Sequence, residues 1–178
     1  WLRAHAAELG GDAKRLTLVG ESAGGHLAAG AALLPDPATG KAPLAEDLPA
    51  ALILLNPVLD IRSLGWRPTA REFTGLPAGP LALDGPGGQL SPSEFVRPKL
   101  PPTLILHGLA DKVVPVAASQ RFATAMRTAG NACTLQELPE TGHAFAIPGY
   151  GKPEQVQATL LAMDHFLAAL GLLPAPTP

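Results

Sequence analysis

A serine flanked by glycines is the feature of this sequence that most clearly could do chemistry. Residues 20–24 read Gly-Glu-Ser-Ala-Gly, with Ser22 at the centre. The apolar run Leu16–Val19 before them is typical of a buried strand, and the Ala- and Leu-rich run Leu27–Leu34 after them is typical of a helix. A strand, a Gly-x-Ser-x-Gly turn and a helix in succession place the serine hydroxyl on a sharp bend above a sheet. We therefore predict that Ser22 is a nucleophile, the alternative being an idle serine in a glycine-rich turn.

The residues around Ser22 fit such a bend. Gly20 and Gly24 lack a Cβ, so we expect them to let the strand and the helix close around the serine. The helix begins just behind the serine, and its first amides favour negative charge there.

A serine hydroxyl needs a base to take its proton, and the base needs an acid to orient it. The predicted base is His143, which follows the predicted strand Cys133–Leu138 by a short loop in which Gly142 would let the backbone place the ring. A solvent-exposed loop histidine is the alternative. The predicted acid is Asp111, which follows a predicted strand. Asp60, which follows another, is the competing candidate.

The remaining reactive side chains receive structural interpretations. We expect His107, at the end of a predicted strand, to be a packed, hydrogen-bonded residue, and His26 to lie beneath the site or on the helix surface. Glu21 would support the turn through a buried hydrogen bond, and Cys133 would act as a small buried hydrophobe. No cluster of His, Cys, Asp and Glu has metal-ligand spacing, so we predict neither a metal nor another cofactor.

The elements that must position these residues follow from the apolar pattern. The chain has 178 residues, 47% of them apolar and 16% charged, which is typical of one globular domain. Unalternating apolar runs predict a parallel sheet covered on both faces, with a site beyond the C-terminal strand ends. The predicted strands are Leu16–Val19, Ala51–Leu55, Thr103–Leu106 and Cys133–Leu138, and the predicted helices are Trp1–Leu9, Leu27–Leu34, Val116–Ala129 and Pro153–Leu170. The last helix should pack through Val156, Leu160, Met163, Phe166, Leu167 and Leu170.

An irregular stretch interrupts this alternation. Glycine and proline recur every few residues from Asn56 to Lys99, with short helical turns expected near Pro68–Thr74 and Ser91–Phe95. A loop of this length inside a domain is usually a lid or a binding segment, and a disordered insertion is the alternative.

Charge and hydropathy limit the partners. The net charge of −2 gives no electrostatic reason to expect nucleic acid or an anionic membrane as partner. No apolar run approaches the roughly 18 residues of a membrane span. The lone Cys133 excludes an internal disulfide and leaves the compartment open, with the cytoplasm slightly favoured.

Taken together, these motifs resemble the α/β-hydrolase superfamily, and within it the acetyl-esterase-like esterase/lipase branch related to hormone-sensitive lipase. The resemblance implies an α/β-hydrolase fold, a Ser-Asp-His order of catalytic residues along the chain, and hydrolysis of small or medium acyl esters. It also implies that the amide of Ala23 donates to the oxyanion. The motifs that carry it are Gly20–His26, Leu90–Pro92, Pro101–Gly108, Asp111 with Val114-Pro115, and Leu138–Phe145.

The sequence departs from that family in one respect. Members carry a His-Gly-Gly-Gly-type oxyanion loop ahead of the nucleophile, and the 21 residues before Ser22 do not contain it. We therefore expect residues 1–178 to be the C-terminal portion of a catalytic domain, weak or inactive alone, with the irregular segment 56–99 as a lid. The strand Leu16–Val19 would then have an exposed apolar edge able to self-associate.

Two other functions are kept open. A prolyl-oligopeptidase-like peptidase would share the fold and the order of catalytic residues, although such enzymes usually have an aromatic residue beside the serine, where this chain has Glu21 and Ala23. A non-catalytic module or an inactive fragment of the fold is the third hypothesis.

Overall fold

The computed structural model describes residues 1–61 and 90–174, in which strands and helices alternate. The strands are β1 (Thr17–Glu21), β2 (Ala51–Leu55), β3 (Thr103–Gly108) and β4 (Cys133–Leu138). The helices are α1 (Leu2–His5), α2 (Ala23–Leu33), α3 (Val116–Thr128) and α4 (Pro153–Ala169). Single 3-10 turns lie at Ala13–Arg15, Ala45–Asp47 and Pro92–Phe95.

The strands form one parallel sheet in the order β1-β2-β3-β4. Ile53 of β2 pairs with Val19 on one side and with Leu104 on the other. Every residue of β2 and β3 is buried, as their unalternating sequences predict. The predicted parallel sheet of about four strands is therefore confirmed. All four carboxyl ends lie at one edge, and this edge carries Ser22, Asp111 and His143.

Each face of the sheet has its own apolar core. On one face, α2 and α3 pack on β2 and β3 through a cluster that includes Ala29, Leu33, Leu54, Phe122 and Met126. On the other face, the opposite side chains of β2 and β3 pack against Phe145 and α4. Successive strand residues alternate between the two clusters because side chains alternate across a strand.

The contact face of α4 is shifted from the predicted one, since Ala162 packs against the second core cluster and Thr159 is buried. Met163, Phe166 and Leu167 pack against the second core cluster. Leu160 is 49% exposed and Leu170 is 36% exposed, so the prediction was wrong for these two. Leu160 lies at the margin of the contact stripe, and Leu170 is the C-cap residue beyond the last helical turn.

Two boundaries near the serine differ from prediction. β1 continues to Glu21 and α2 begins at Ala23, so one residue, Ser22, makes the whole turn.

The predicted helix Trp1–Leu9 is helical only over Leu2–His5 and continues as turns up to Gly10. These turns are closed by backbone hydrogen bonds such as that from Gly11 to Ala6.

The predicted lid segment, Asn56–Lys99, is described only at its two ends. The amide of Ser93 donates to the Leu59 carbonyl at 3.0 Å, and the amide of Ile61 donates to the Ser91 hydroxyl at 3.0 Å. The turn expected near Ser91–Phe95 is present as a 3-10 turn. Residues 62–89, with the turn expected at Pro68–Thr74, lie outside the described residues. That this segment is a lid remains a prediction.

Both outer strands have partly open sides. β1 pairs only with β2 in the described part of the chain, and Val19 is 49% exposed. β4 alternates in burial, as expected of an edge strand. Its Cys133 packs against the first core cluster, and burial raises the pKa of the thiol to about 11.

No helix in residues 1–61 and 90–174 is long and apolar enough to cross a membrane.

Candidate active site

Ser22 occupies a tight turn between β1 and α2. Its backbone angles, φ 55° and ψ −118°, lie in a sparsely populated region for a residue with a Cβ. The end of β2 holds this conformation, because the Ser22 amide donates to the Leu55 carbonyl at 2.8 Å. The Ser22 carbonyl in turn accepts from the amides of His26 and Val58. A strained turn of this kind costs about 1–3 kcal/mol and persists only where its surroundings impose it.

The glycines around the serine have unequal importance. A Cβ on Gly20 would lie 2.1 Å from the Gly24 carbonyl oxygen, and a Cβ on Gly25 would lie 2.8 Å from Cβ of Pro57. A Cβ on Gly24 would meet nothing within 4 Å. The prediction that the strand and the helix close around Gly20 therefore agrees with the structure. At the other end of the turn, the close approach is made by Gly25 and not by Gly24.

His143 reaches Ser22 from the loop after β4. Its Nε2 lies 2.9 Å from the Ser22 hydroxyl oxygen, and its side chain is 11% exposed. The loop turns through positive φ angles at Glu140 and Ala144. His143 is thus not the solvent-exposed loop histidine that was the alternative.

The position of the His143 loop depends on a glycine of β3. A Cβ on Gly108 would lie 2.1 Å from the Thr141 carbonyl oxygen, so a side chain there would displace the loop. Gly142 does not have a positive φ, and a Cβ there would meet nothing within 4 Å. The role expected of Gly142 therefore belongs to Gly108.

Asp111 completes a row of three side chains. Its Oδ2 lies 2.7 Å from Nδ1 of His143, and its side chain is fully buried. Its Oδ1 accepts from the amides of Val113 and Val114 at 2.8 and 2.9 Å. Asp60, the competing candidate, instead lies 3.3 Å from the guanidinium of Arg121.

The charges along this row set the direction of the hydrogen bonds. Burial opposes ionisation of Asp111, but hydrogen bonds from His107, His143 and the two valine amides outweigh it and hold its pKa well below its usual range. An ionised carboxylate can only accept, so the His143 Nδ1 carries a proton and donates it to Asp111. In the neutral ring Nε2 is then free to accept from the Ser22 hydroxyl. The arrangement can pass a proton from a serine to a histidine.

Glu21 lies beside this row. Burial raises its pKa, and the Ala146 amide, the His143 ring and the Asn56 amide offset that effect only in part. Nδ2 of Asn56 lies 3.4 Å from Glu21, and its Oδ1 accepts from the Gly108 amide at 3.3 Å. Glu21 therefore makes the supporting contacts expected of it. Asn56 was not among the predicted site residues, although its place directly after β2 was a signal.

The backbone amide of Ala23, the first of α2, is available to donate to a ligand at this turn. Ala23 is the first helical residue, and no hydrogen bond in the described part of the chain uses its amide. His26, one turn along, uses Nδ1 to contact the Val58 carbonyl at 3.0 Å. No group of three or more His, Cys, Asp and Glu side chains within residues 1–61 and 90–174 could hold a metal ion.

Comparison with known proteins places this chain in a family. A model of the prolyl oligopeptidase family matches residues 1–170. The chain belongs to the prolyl oligopeptidase family.

Relatives of this family member are named as esterases. Esterase LipQ of Mycobacterium tuberculosis is 36% identical over 180 residues, which cover 96% of this chain and 41% of LipQ. The probable carboxylic ester hydrolase LipM of the same organism is 28% identical, over 94% of this chain and 40% of LipM. The chain thus spans about two fifths of the length of these curated relatives.

Solved structures that are similar to this chain include those of an esterase. Esterase 2 of Thermogutta terrifontis with bound propionate is 38% identical, has a TM-score of 0.77, and is matched over 100% of this chain and 64% of its own. The same esterase phosphorylated by paraoxon gives a TM-score of 0.75 at 37% identity, over 99% of this chain and 62% of its own. The resemblance to esterases of the α/β-hydrolase superfamily is therefore confirmed, as is the α/β-hydrolase fold. The family model bears the name of the peptidases considered second, whereas the relatives bear the names of esterases.

Proposed function

We propose that the protein is a serine carboxylic-ester hydrolase acting on small or medium acyl esters. The observation that carries the proposal is the continuous row of Ser22, His143 and Asp111, with contacts of 2.9 and 2.7 Å. The esterase names of LipQ and of the Thermogutta enzyme support it. The substrate partner is accordingly a small-molecule ester.

In the first half of the proposed reaction, the Ser22 oxygen attacks the ester carbonyl carbon and Nε2 of His143 takes the hydroxyl proton. The resulting oxyanion accepts a hydrogen bond from the Ala23 amide, which is free for this role. The C–O bond to the alcohol then breaks, and Nε2 returns the proton to the departing alkoxide. Ser22 is left as an acyl ester.

In the second half, water repeats the same steps. Nε2 of His143 removes a proton from a water molecule whose oxygen attacks the acyl carbon, and the proton then returns to the Ser22 oxygen. Asp111 remains ionised throughout, holds the ring by its Nδ1–H and stabilises the imidazolium that forms twice. The products are a carboxylic acid and an alcohol.

The proposed acyl range is short. Thermogutta esterase 2 has been observed with propionate and with butyrate bound, at 38% and 36% identity to this chain. We extend these acyl lengths to this protein. Initial rates on p-nitrophenyl esters of acetate, propionate, butyrate and octanoate test the extension, and a maximum at octanoate would contradict it. In this and the later activity tests the complete natural protein is assayed, because residues 1–178 are expected to be weak or inactive alone.

The second candidate function is that of a serine peptidase, which the family model favours by its name. Both candidates use the same three side chains, so they differ in leaving group and not in mechanism. Turnover of p-nitrophenyl propionate, compared with that of an aminoacyl-proline anilide under the same conditions, separates them. Cleavage of the anilide alone would overturn the ester hydrolase proposal.

Covalent labelling tests the nucleophile directly. Paraoxon transfers a diethylphosphoryl group to an activated serine, and peptide mass spectrometry locates the adduct. We expect it on Ser22, with none on Ser22→Ala, while Ser93→Ala labels like the wild type. An adduct on another serine, or no adduct in an active preparation, would refute the assignment.

Self-association through the β1 edge is a separate proposal. Val19 is 49% exposed on an outer strand, and such an edge can pair with another chain. Val19→Lys should lower the weight-average mass in sedimentation equilibrium if the edge pairs. A monomer at all concentrations in the wild type would dismiss it.

A further inference from the structure

His107 is a second histidine at the buried carboxylate. It is the next-to-last residue of β3 and is fully buried. Its Nδ1 lies 2.8 Å from the Ser119 hydroxyl oxygen on α3. Its Nε2 lies 3.0 Å from the Val114 carbonyl oxygen and 3.4 Å from Oδ2 of Asp111. The ring therefore connects α3 to the turn that carries the proposed catalytic acid.

The partners of the ring fix the position of its proton. Both groups facing Nε2, a carbonyl and an ionised carboxylate, can only accept. Nε2 must therefore carry a proton whether the ring is neutral or charged. The Ser119 hydroxyl can donate to a bare Nδ1 or accept from a protonated one, so it serves either state. The Nε2–H form of His107 follows from the geometry alone.

We propose that His107 is a positioning residue for the Asp111 carboxylate: its Nε2–H donates to the Val114 carbonyl and faces Oδ2 of Asp111, while Ser119 holds the ring. This proposal rests on the proposed function. The carboxylate is then surrounded by four N–H groups. Oδ1 receives the Val113 and Val114 amides, and Oδ2 receives Nδ1–H of His143 and faces Nε2–H of His107.

This arrangement has two consequences for the reaction. The carboxylate cannot rotate without leaving one of these donors, so Oδ2 stays directed at His143. Nε2–H of His107 and Nδ1–H of His143 both face Oδ2 of Asp111. The positive end of the His107 N–H dipole therefore weakens the attraction between Oδ2 and the His143 proton. Removal of the His107 donor should therefore misplace the acid and make His143 a stronger base at the same time.

The first test needs no substitution. Long-range 1H–15N correlation spectra of the wild-type chain distinguish a protonated from a bare imidazole nitrogen at each histidine. We expect His107 to show Nε2–H at every pH at which the protein is folded. A bare Nε2 on His107 would overturn the proposal. This result does not depend on esterase activity, so it is separable from a failure of the proposed function.

The second test compares two substitutions. His107→Phe keeps a ring but loses the donor, whereas the side-chain amide of His107→Gln can place an N–H near the position of Nε2. For His107→Phe we expect kcat on p-nitrophenyl propionate to fall by about 10- to 100-fold with KM unchanged, since a small misplacement of the catalytic group is costly. The acid limb of the pH–rate profile should move to higher pH. His107→Gln should recover most of kcat.

A buried polar deletion elsewhere controls for stability. Asn131 accepts from the Leu100 amide and donates to the Arg97 carbonyl at the opposite end of the sheet. Asn131→Leu should lower the melting temperature without moving the acid limb. If a folded His107→Phe keeps wild-type kcat and an unmoved acid limb, the positioning role is refuted. If His107→Phe does not fold, Ser119→Ala, which releases the ring at Nδ1, takes its place, and wild-type kcat with an unmoved acid limb in that variant would refute the role.

Discussion

The Ser22 hydroxyl lies 2.9 Å from Nε2 of His143, although 121 residues separate them and their strands, β1 and β4, are the two outer strands of the sheet. The inner strands account for this approach. The Ser22 amide is fixed to Leu55 at the end of β2, and the His143 loop rests against Gly108 at the end of β3. The distance between the two side chains is thus set by two strands that carry neither of them.

The loop contact at Gly108 gives the first prediction. In Gly108→Ala the new Cβ would lie 2.1 Å from the Thr141 carbonyl oxygen, so the loop must move and carry His143 with it. We expect kcat on p-nitrophenyl propionate to fall by about 100-fold, as a displacement near 1 Å can do. Gly142→Ala is the matched control, because its Cβ meets nothing within 4 Å. Equal activity of both variants would contradict this account.

The serine turn gives a second matched pair, with stability as the measurement. Gly20→Ala would place a Cβ 2.1 Å from a backbone oxygen of Gly24, and we expect the free energy of unfolding to fall by at least about 2 kcal/mol. Gly24→Ala adds a Cβ in open space within α2, and should raise that free energy by up to about 1 kcal/mol. Urea denaturation measures both. An undiminished stability of Gly20→Ala would show that the turn can relax.

The buried acid gives a third prediction. In Asp111→Asn the side-chain amide can donate to Nδ1 of His143, which leaves the proton on Nε2 and prevents this nitrogen from accepting from Ser22. We expect kcat to fall by about 10⁴-fold near neutral pH, with the fold retained. Asp60→Asn, which alters the contact with Arg121, should stay within about twofold of wild type. A larger loss for Asp60→Asn than for Asp111→Asn would reverse the assignment of the acid.

Glu21 gives a prediction about pH. Burial raises its pKa, so the folded state binds this proton more tightly than the unfolded state does. The stability that depends on the proton is present at low pH and is lost as the pH rises through the folded-state pKa. Glu21→Gln keeps an acceptor for Asn56 without the charge. The free energy of unfolding of this variant should exceed that of wild type at about pH 8, by a margin that shrinks towards about pH 4. A margin that grows at low pH would contradict the sign.

Much of the architecture could be predicted from local sequence. β2 and the Leu104–Leu106 part of β3 are apolar without alternation, which is typical of a strand buried on both faces. The Gly-x-Ser-x-Gly pattern predicts the turn at Ser22. The triad candidates followed because each one directly or closely follows a strand. The parallel arrangement then brings the ends of all strands to one edge.

What could not be predicted depends on contacts between distant segments. Gly142 and Gly108 look alike in sequence, and only the packing of the loop on β3 shows that Gly108 is the one in close contact. The exposure of Leu160 has the same origin, because periodicity gives the apolar side of α4 but not which part of that side meets the sheet. The two imidazoles at Asp111 likewise meet only in three dimensions.

The hydrogen bonds from Ser93 to Leu59 and from Ile61 to Ser91 join the chain on either side of residues 62–89 at a single base. Because the two ends meet at this base, a stretch of other length or sequence can replace residues 62–89 while these two hydrogen bonds and the row of Ser22, His143 and Asp111 stay as they are. If the stretch is the predicted lid, such an exchange changes the preference among acyl esters and leaves the row of three side chains intact.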